Sequence, residues 1–235
     1  FIDNDNNKNF FLIGGSTIST LGYDLKQRLK NFSYSHFSFA NYIYLPGFDR
    51  INTKYNDKDE NFIKANHFIR NTILSTNKET IVLIGSRLPL FINQSFFNNK
   101  EGGIEGKEWN YEFKNFKNFN TKWQDSFKYS IEELLINKNI SVVLVYPIPE
   151  VGFDINSKLK NYKFFSNKIL DTSFDVYKER TKSSFELLDS IKGENIYRVY
   201  PHKLFCNTAI KNRCVTHDDE NIFYSADIHP SLIGS

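Results

Sequence analysis

Three residue types that together can move an acyl group stand far apart in the 235-residue sequence. Ser16 follows Gly14 and Gly15 in FFLIGGSTIS, and His229 lies two residues after Asp227 in FYSADIHPSLIGS. A serine hydroxyl is a weak nucleophile until a neighbouring base takes its proton, and imidazole is the side chain best suited to that near neutral pH. A carboxylate two residues away can orient and support the imidazole. Each pattern alone also has an ordinary structural explanation. Gly-Gly-Ser after a strand makes phosphate-binding and purely structural turns as well. Asp227 and Ser231 could act only as caps of a last helix, with His229 in solvent. His36, His67, His202 and His217 lack a comparable setting.

The elements that must position these groups follow from apolar periodicity. A run from Phe10 to Ile13 ends at the glycines, and Ile18, Leu21, Leu25 and Leu29 then recur at helical spacing, which predicts strand, tight turn, helix. A serine on such a turn is exposed at the carboxyl edge of a sheet, and the N–H groups opening the helix can face a developing oxyanion. Helical patterns are predicted over 58–76, 123–137 and 172–191, and from Ser231 onward; strands over 81–84, 141–146 and 197–200. Segments 91–120 and 151–159 read as loops. Strands alternating with helices predict a single α/β domain over 1–235, three layers deep, with a central parallel sheet. Tyr42, Tyr44, Trp109, Tyr111, Phe113 and Phe116 could floor a sugar-binding groove, against the commoner alternative of core packing.

Composition narrows the function classes. Thirty Lys and Arg against 27 Asp and Glu leave a net charge of +3 with no evident basic stripe, so nucleic acid is not expected. No run of apolar residues is long enough to span a bilayer. The sequence starts at Phe1 with neither an initiator methionine nor a signal peptide, and is expected to be a piece of a longer protein. Cys206 and Cys214 have no second pair and no CxxC, which argues against zinc; a local disulfide is the preferred reading and two free thiols the alternative. Arg87 follows a buried strand, where it could hold an acyl or sugar oxygen or pair with a neighbouring carboxylate.

Taken together, these patterns resemble the SGNH hydrolase superfamily, and within it the extracytoplasmic SGNH domain fused behind the membrane acyltransferase-three domain of bacterial O-acetyltransferases. FFLIGGSTIS stands where the family has a strand running into Gly-Asp-Ser-His. IVLIGSRLP and VVLVYPIPE match two later strands, the second with its proline; a cysteine-bracketed loop and YSADIHPSLIG match the ending. Gly15 and Thr17 replace the residues flanking the nucleophile, Ala226 stands where the family has aspartate, and no Gly-x-Asn-Asp block is present.

The resemblance implies a Ser16, Asp227, His229 triad, with the Ser16 N–H, and Gly15 or Gly47, near the oxyanion. It implies O-acyl, most plausibly O-acetyl, transfer to a cell-surface polysaccharide. No cofactor or metal is expected in this domain, with acyl-coenzyme A as ultimate donor through an N-terminal integral-membrane partner domain. The setting would be periplasmic or otherwise extracytoplasmic. An acetyl esterase of the same fold is the alternative, and a glycan-binding module with a degenerate site the second.

Overall fold

The computed structural model describes residues 7–106, 108–161 and 169–235. In chain order the elements are β1 (Lys8–Gly15), α1 (Ser16–Ser19), α2 (Gly22–Arg28), β2 (Ser33–Phe39), β3 (Asp49–Asn52), β4 (Asp57–Lys58), α3 (Glu60–Leu74), β5 (Glu79–Gly85) and α4 (Leu88–Asn93). They continue with β6 (Tyr111–Lys114), α5 (Trp123–Leu135), β7 (Ile140–Val145), α6 (Ile155–Asn161), β8 (Asp171–Ser173), α7 (Phe174–Ser190), β9 (Ile196–Val199), α8 (His202–Phe205) and β10 (Arg213–Val215).

Five strands form one parallel sheet in the order β2-β1-β5-β7-β9. Its central strands are apolar on both faces because helices cover both. Phe11, Ile13, Val82, Ile84, Val142 and Leu144 pack with Phe62, Ile69 and Ile73 of α3 and Phe127, Ile131 and Leu134 of α5. The alternate residues Phe10, Leu12, Leu83 and Val145 face Ile18, Leu21, Leu25 and Leu29 on the other side. The chain leaves β1 toward β2 on one side and later returns to β5 on the other, so the sheet's switch point lies between the carboxyl ends of β1 and β5. Open α/β sheets place their sites at such a crevice.

Several local expectations are corrected. The helix after Ser16 is two short pieces, broken where Leu21 N–H bonds Ile18 O at 3.1 Å. Strand β2, read as neither helix nor strand in SYSHFSF, pairs along all of its seven residues with β1. The presumed loop 151–159 contains the start of α6, whose first turn is held by Asp154 Oδ1 accepting from Ser157 N–H at 2.6 Å. Within 91–120, α4 ends at Asn93 and β6 joins β3 and β4 in a small antiparallel sheet.

No helix starts at Ser231. The chain turns back instead: Tyr224 pairs with Pro230, Ser231 N–H bonds Phe223 O at 2.8 Å, and Ser231 Oγ donates to Ile222 O at 2.6 Å. Ser231 Oγ still accepts from Ile233 and Gly234 N–H, as a cap would, without a helix following.

Tyr42 and Tyr44 are core residues, 2% and 0% exposed, and floor no groove. The buried Asn66 of α3 holds their loop, its Oδ1 accepting from Tyr42 Oη at 2.9 Å and Leu45 N–H at 2.7 Å. Trp109, Tyr111 and Phe113 pack among Phe91, Phe96, Phe62 and Trp123, whereas Phe116 is half exposed against Phe119.

Candidate active site

The turn that presents Ser16 is set by glycine sterics. A Cβ on Gly14 would lie 2.1 Å from Gly85 O, and one on Gly85 would lie 2.5 Å from Ile18 Cδ1. Two glycines therefore let β1, β5 and the first turn of α1 approach one another, and Ser16 opens that turn at the sheet edge. Gly15 has a different role: φ is −77°, and an added Cβ would meet only the Tyr42 O and N, at 3.5 and 3.7 Å. Gly47 lies on an exposed turn with φ +86° and nothing within 4 Å of where a Cβ would stand; the segment beside the serine turn is at Tyr42.

His229 arrives from the other end of the sequence. Its Nε2 lies 2.9 Å from Ser16 Oγ across a separation of 213 residues. The loop carrying it is fixed by its own backbone. Ser225 N–H bonds His229 O at 2.8 Å, Val151 N–H bonds Asp227 O at 3.0 Å, and Asn156 Nδ2 bonds Ser225 O at 2.7 Å. Tyr224, fully buried, anchors the loop's base through its hydroxyl on Pro149 O at 2.9 Å. Half-buried Ser16 and His229 thus meet at the surface end of a rigid core, within the distance needed for proton transfer.

Asp227 stands close to His229 without a direct link. Among the described residues no hydrogen bond joins its carboxylate to the imidazole. Partial burial raises the Asp227 pKa, the nearby negative charge of Glu105 adds to that, and Arg87, its own backbone N–H and His229 pull the other way. The geometry is therefore a serine-histidine pair with a carboxylate acting through space.

Arg87 takes the second of its two alternatives. Only 8% exposed, it donates from Nε to Glu150 at 2.5 Å and from Nη1 to Glu105 at 2.7 Å, with Nη2 also against both carboxylates. Burial alone would lower its pKa; the hydrogen bond with Glu105 and the charges of Glu150 and Glu105 raise it. Arg180 Nε completes the network on Glu150 at 2.9 Å. Glu105 is held in reach by the hairpin 97–105, where buried Asn99 accepts from Glu101 and Gly103 N–H, each at 2.8 Å, and donates to Val151 O at 3.1 Å. Val151 thus joins this hairpin on one side and Asp227 on the other. The sequence reading missed both carboxylates; a buried arginine after a strand was the signal that they had to exist.

Cys206 and Cys214 are bonded to each other, and beside them Phe205 and Tyr224 share a small second core with Val151, Ile155 and Tyr177. Among the described residues no helix is long and apolar enough to cross a membrane.

The sequence model of SGNH domains, described as fused to AT3 domains, matches residues 1–235. Among solved structures, the periplasmic domain of the lipopolysaccharide acetyltransferase of Salmonella ser. Paratyphi A is similar with a TM-score of 0.59 at 14% identity, over 99% of this chain and 80% of that one. A chain described as a putative platelet activating factor from Streptococcus pneumonia aligns with a TM-score of 0.45 at 9% identity, over 97% and 78% of the two chains. No curated protein sequence matches. The parallel five-stranded sheet flanked by helices is the fold shared with the acetyltransferase domain. Since the sequence match runs the whole length, the chain belongs to the family of SGNH domains found fused to AT3 domains.

Proposed function

We propose that this domain is a serine-dependent O-acyltransferase that places acetyl groups on hydroxyls of a cell-surface polysaccharide. The observation that carries the reading is the 2.9 Å contact between His229 Nε2 and Ser16 Oγ. In the first half-reaction Ser16 Oγ attacks the carbonyl carbon of an acyl donor while its proton passes to His229 Nε2. The bond to the donor's leaving group breaks, and His229 returns the proton to that group. In the second half, a sugar hydroxyl gives its proton to His229 and attacks the Ser16 ester; the bond to Oγ breaks and Ser16 regains a proton. The N–H of Ser16, at the start of α1, faces the oxyanion formed in each half.

The family's AT3 fusion supports a membrane partner domain, N-terminal to this one, that delivers the acyl group from acyl-coenzyme A. The disulfide supports an oxidising, extracytoplasmic setting.

The test is to incubate the domain with an acyl ester donor, with and without polysaccharide, and to follow acyl groups on the glycan by NMR. Acylated glycan that disappears in Ser16→Ala supports the proposal. Free acid alone, independent of glycan, replaces transferase with esterase. No turnover of any ester, with glycan binding retained in Ser16→Ala, leaves a binding module.

A further inference from the structure

Phe39 closes β2 at the carboxyl edge of the sheet, and the register pairs it with Gly15, so its Cα lies one strand spacing, ~4.8 Å, from the residue before Ser16. Its ring is 47% exposed. The covered side rests on Tyr42, ring centroids 5.2 Å apart, and Tyr42 is itself fixed in the core by Phe62 at 5.7 Å and by its hydroxyl on Asn66. A phenyl group held from beneath in this way has little freedom left to lose when something covers it.

Phe39 does not stand alone. Side chains two apart on a strand share a face, which puts Phe37 behind it, ~6.6 Å back along β2. Phe37 meets the 57% exposed Phe68 of α3 edge to face, centroids 6.0 Å apart. β2 is the outermost strand of its sheet, so no further strand of that sheet lies beyond it among the described residues. Together the rings make an aromatic strip along the sheet's edge that ends at the serine turn.

The nearby charges are already used. Lys64 and Arg70, which flank Phe68 on α3, pair with Glu60 and Glu133, each at 2.8 Å. Arg50 donates to Asn41 O at 2.6 Å just after Phe39, and pairs with Asp59 at 3.0 Å. None of these three is left to hold a lipid phosphate or an anionic chain. An uncharged sugar ring fits better, since its C–H groups carry slight positive charge and lie well on the electron-rich face of an aromatic ring while its hydroxyls stay in water.

We propose that this strip is the acceptor subsite: an uncharged segment of polysaccharide lies on Phe39, with Phe37 and Phe68 continuing the platform, and so brings a sugar hydroxyl to the Ser16 ester. The inference rests on the transfer chemistry proposed above and adds to it where the acceptor binds.

Two measurements separate the subsite from the chemistry. The first is calorimetric binding of cello-, manno- and chitohexaose to Ser16→Ala, which has no nucleophile. The second, with Ser16 intact, is the partition of acetyl groups from p-nitrophenyl acetate between hexaose and water, read by mass spectrometry and as free acetate. At least one hexaose is expected to bind, and about tenfold more weakly once Phe39→Ala is added, the size of one stacked ring with the area it buries. The share of acetyl reaching that hexaose, at a concentration below its KM, is expected to fall about tenfold in Phe39→Ala for the same reason. Phe39→Trp keeps an aromatic face and is expected to hold both values, and Phe68→Ala to lower them less than Phe39→Ala does. Melting curves are run on each variant, and Phe39→Leu, which fills the space without an aromatic face, serves if alanine prevents folding. Binding and partition unmoved by loss of the Phe39 ring, or binding of none of the hexaoses, overturns the subsite, while acetate release at Ser16 keeps the chemistry. Phe39-dependent binding with no ester turnover overturns the chemistry and keeps the strip as a glycan site. Wild type that co-sediments with anionic vesicles or self-associates through Phe39, and binds no hexaose, gives the strip to lipid or to a second copy and overturns the inference.

Discussion

His229 touches Ser16, the proposed nucleophile, and Asp227 does not touch His229, so on the proposed chemistry the three side chains should not weigh equally. Replacing His229 by alanine removes the proton acceptor and should lower kcat by about 10²–10⁴-fold. Asp227→Asn should cost only about tenfold, the loss of one through-space attraction worth ~1.4 kcal/mol, and steady-state kinetics on one ester would rank them. A fall as large as that in His229→Ala would show that the carboxylate does reach the imidazole in the working enzyme. Stability should respond in the opposite sense. Because the folded chain holds the Asp227 proton more tightly than the unfolded chain, stability falls as pH rises from the usual carboxylate pKa through the raised one. Asp227→Asn should therefore melt higher than wild type at pH 7, and the gap should close as the pH drops below the usual carboxylate range. The glycines invite a similar contrast. Gly14→Ala drives a methyl into Gly85 O and should cost about 1–3 kcal/mol or more, while Gly15→Ala should stay within about 0.5 kcal/mol, both measured by urea unfolding.

At the scale of elements, the site is framed by one charged network and one short hairpin. Arg87 ties the end of β5 to Glu105 in the hairpin and to Glu150 after β7, and Arg180 brings in α7. Arg87→Ala leaves Glu105 uncompensated and Glu150 with Arg180 alone, and should destabilise by about 3–5 kcal/mol, far more than a lost surface pair would. The matching prediction is that Glu105→Gln, which removes the charge that after burial does most to raise the Asp227 pKa, shifts the acid limb of the pH-rate profile to lower pH. The strands β1, β5 and β7 were legible because burial on both faces leaves unbroken apolar runs such as Ile81 to Ile84. β2 was not: Ser33, Ser35, His36 and Ser38 interrupt any run, and its place is set by pairing with β1 rather than by its own pattern. The last helix was overread because Ser231 carries a cap's chemistry in a chain that the pairing of Tyr224 with Pro230 turns back on itself.

For the whole molecule, Ser16 and His229 were readable as residue types in two motifs, but their meeting depended on a sheet and a backbone loop that no local pattern encodes. The Arg87 network was hidden for the same reason, since Glu105 and Glu150 stand 18 and 63 positions away. The disulfide gives a separate handle. Its partners pack in the second core beside Tyr224, the residue at the base of the histidine loop. Loss of the bond in a Cys206→Ser, Cys214→Ser double variant should lower stability by about 2–3 kcal/mol, the value expected for closing so short a loop. Ester turnover in that variant should fall at temperatures where the main sheet, followed by far-ultraviolet circular dichroism, is still folded. The separation of 213 positions between Ser16 and His229 also bears on synthesis. A growing chain can form β1, β2 and β5, with Ser16 already on its turn, long before His229 leaves the ribosome. Until then the serine is an ordinary alcohol, unable to capture an acyl group, and it becomes reactive only once the sheet is complete behind it.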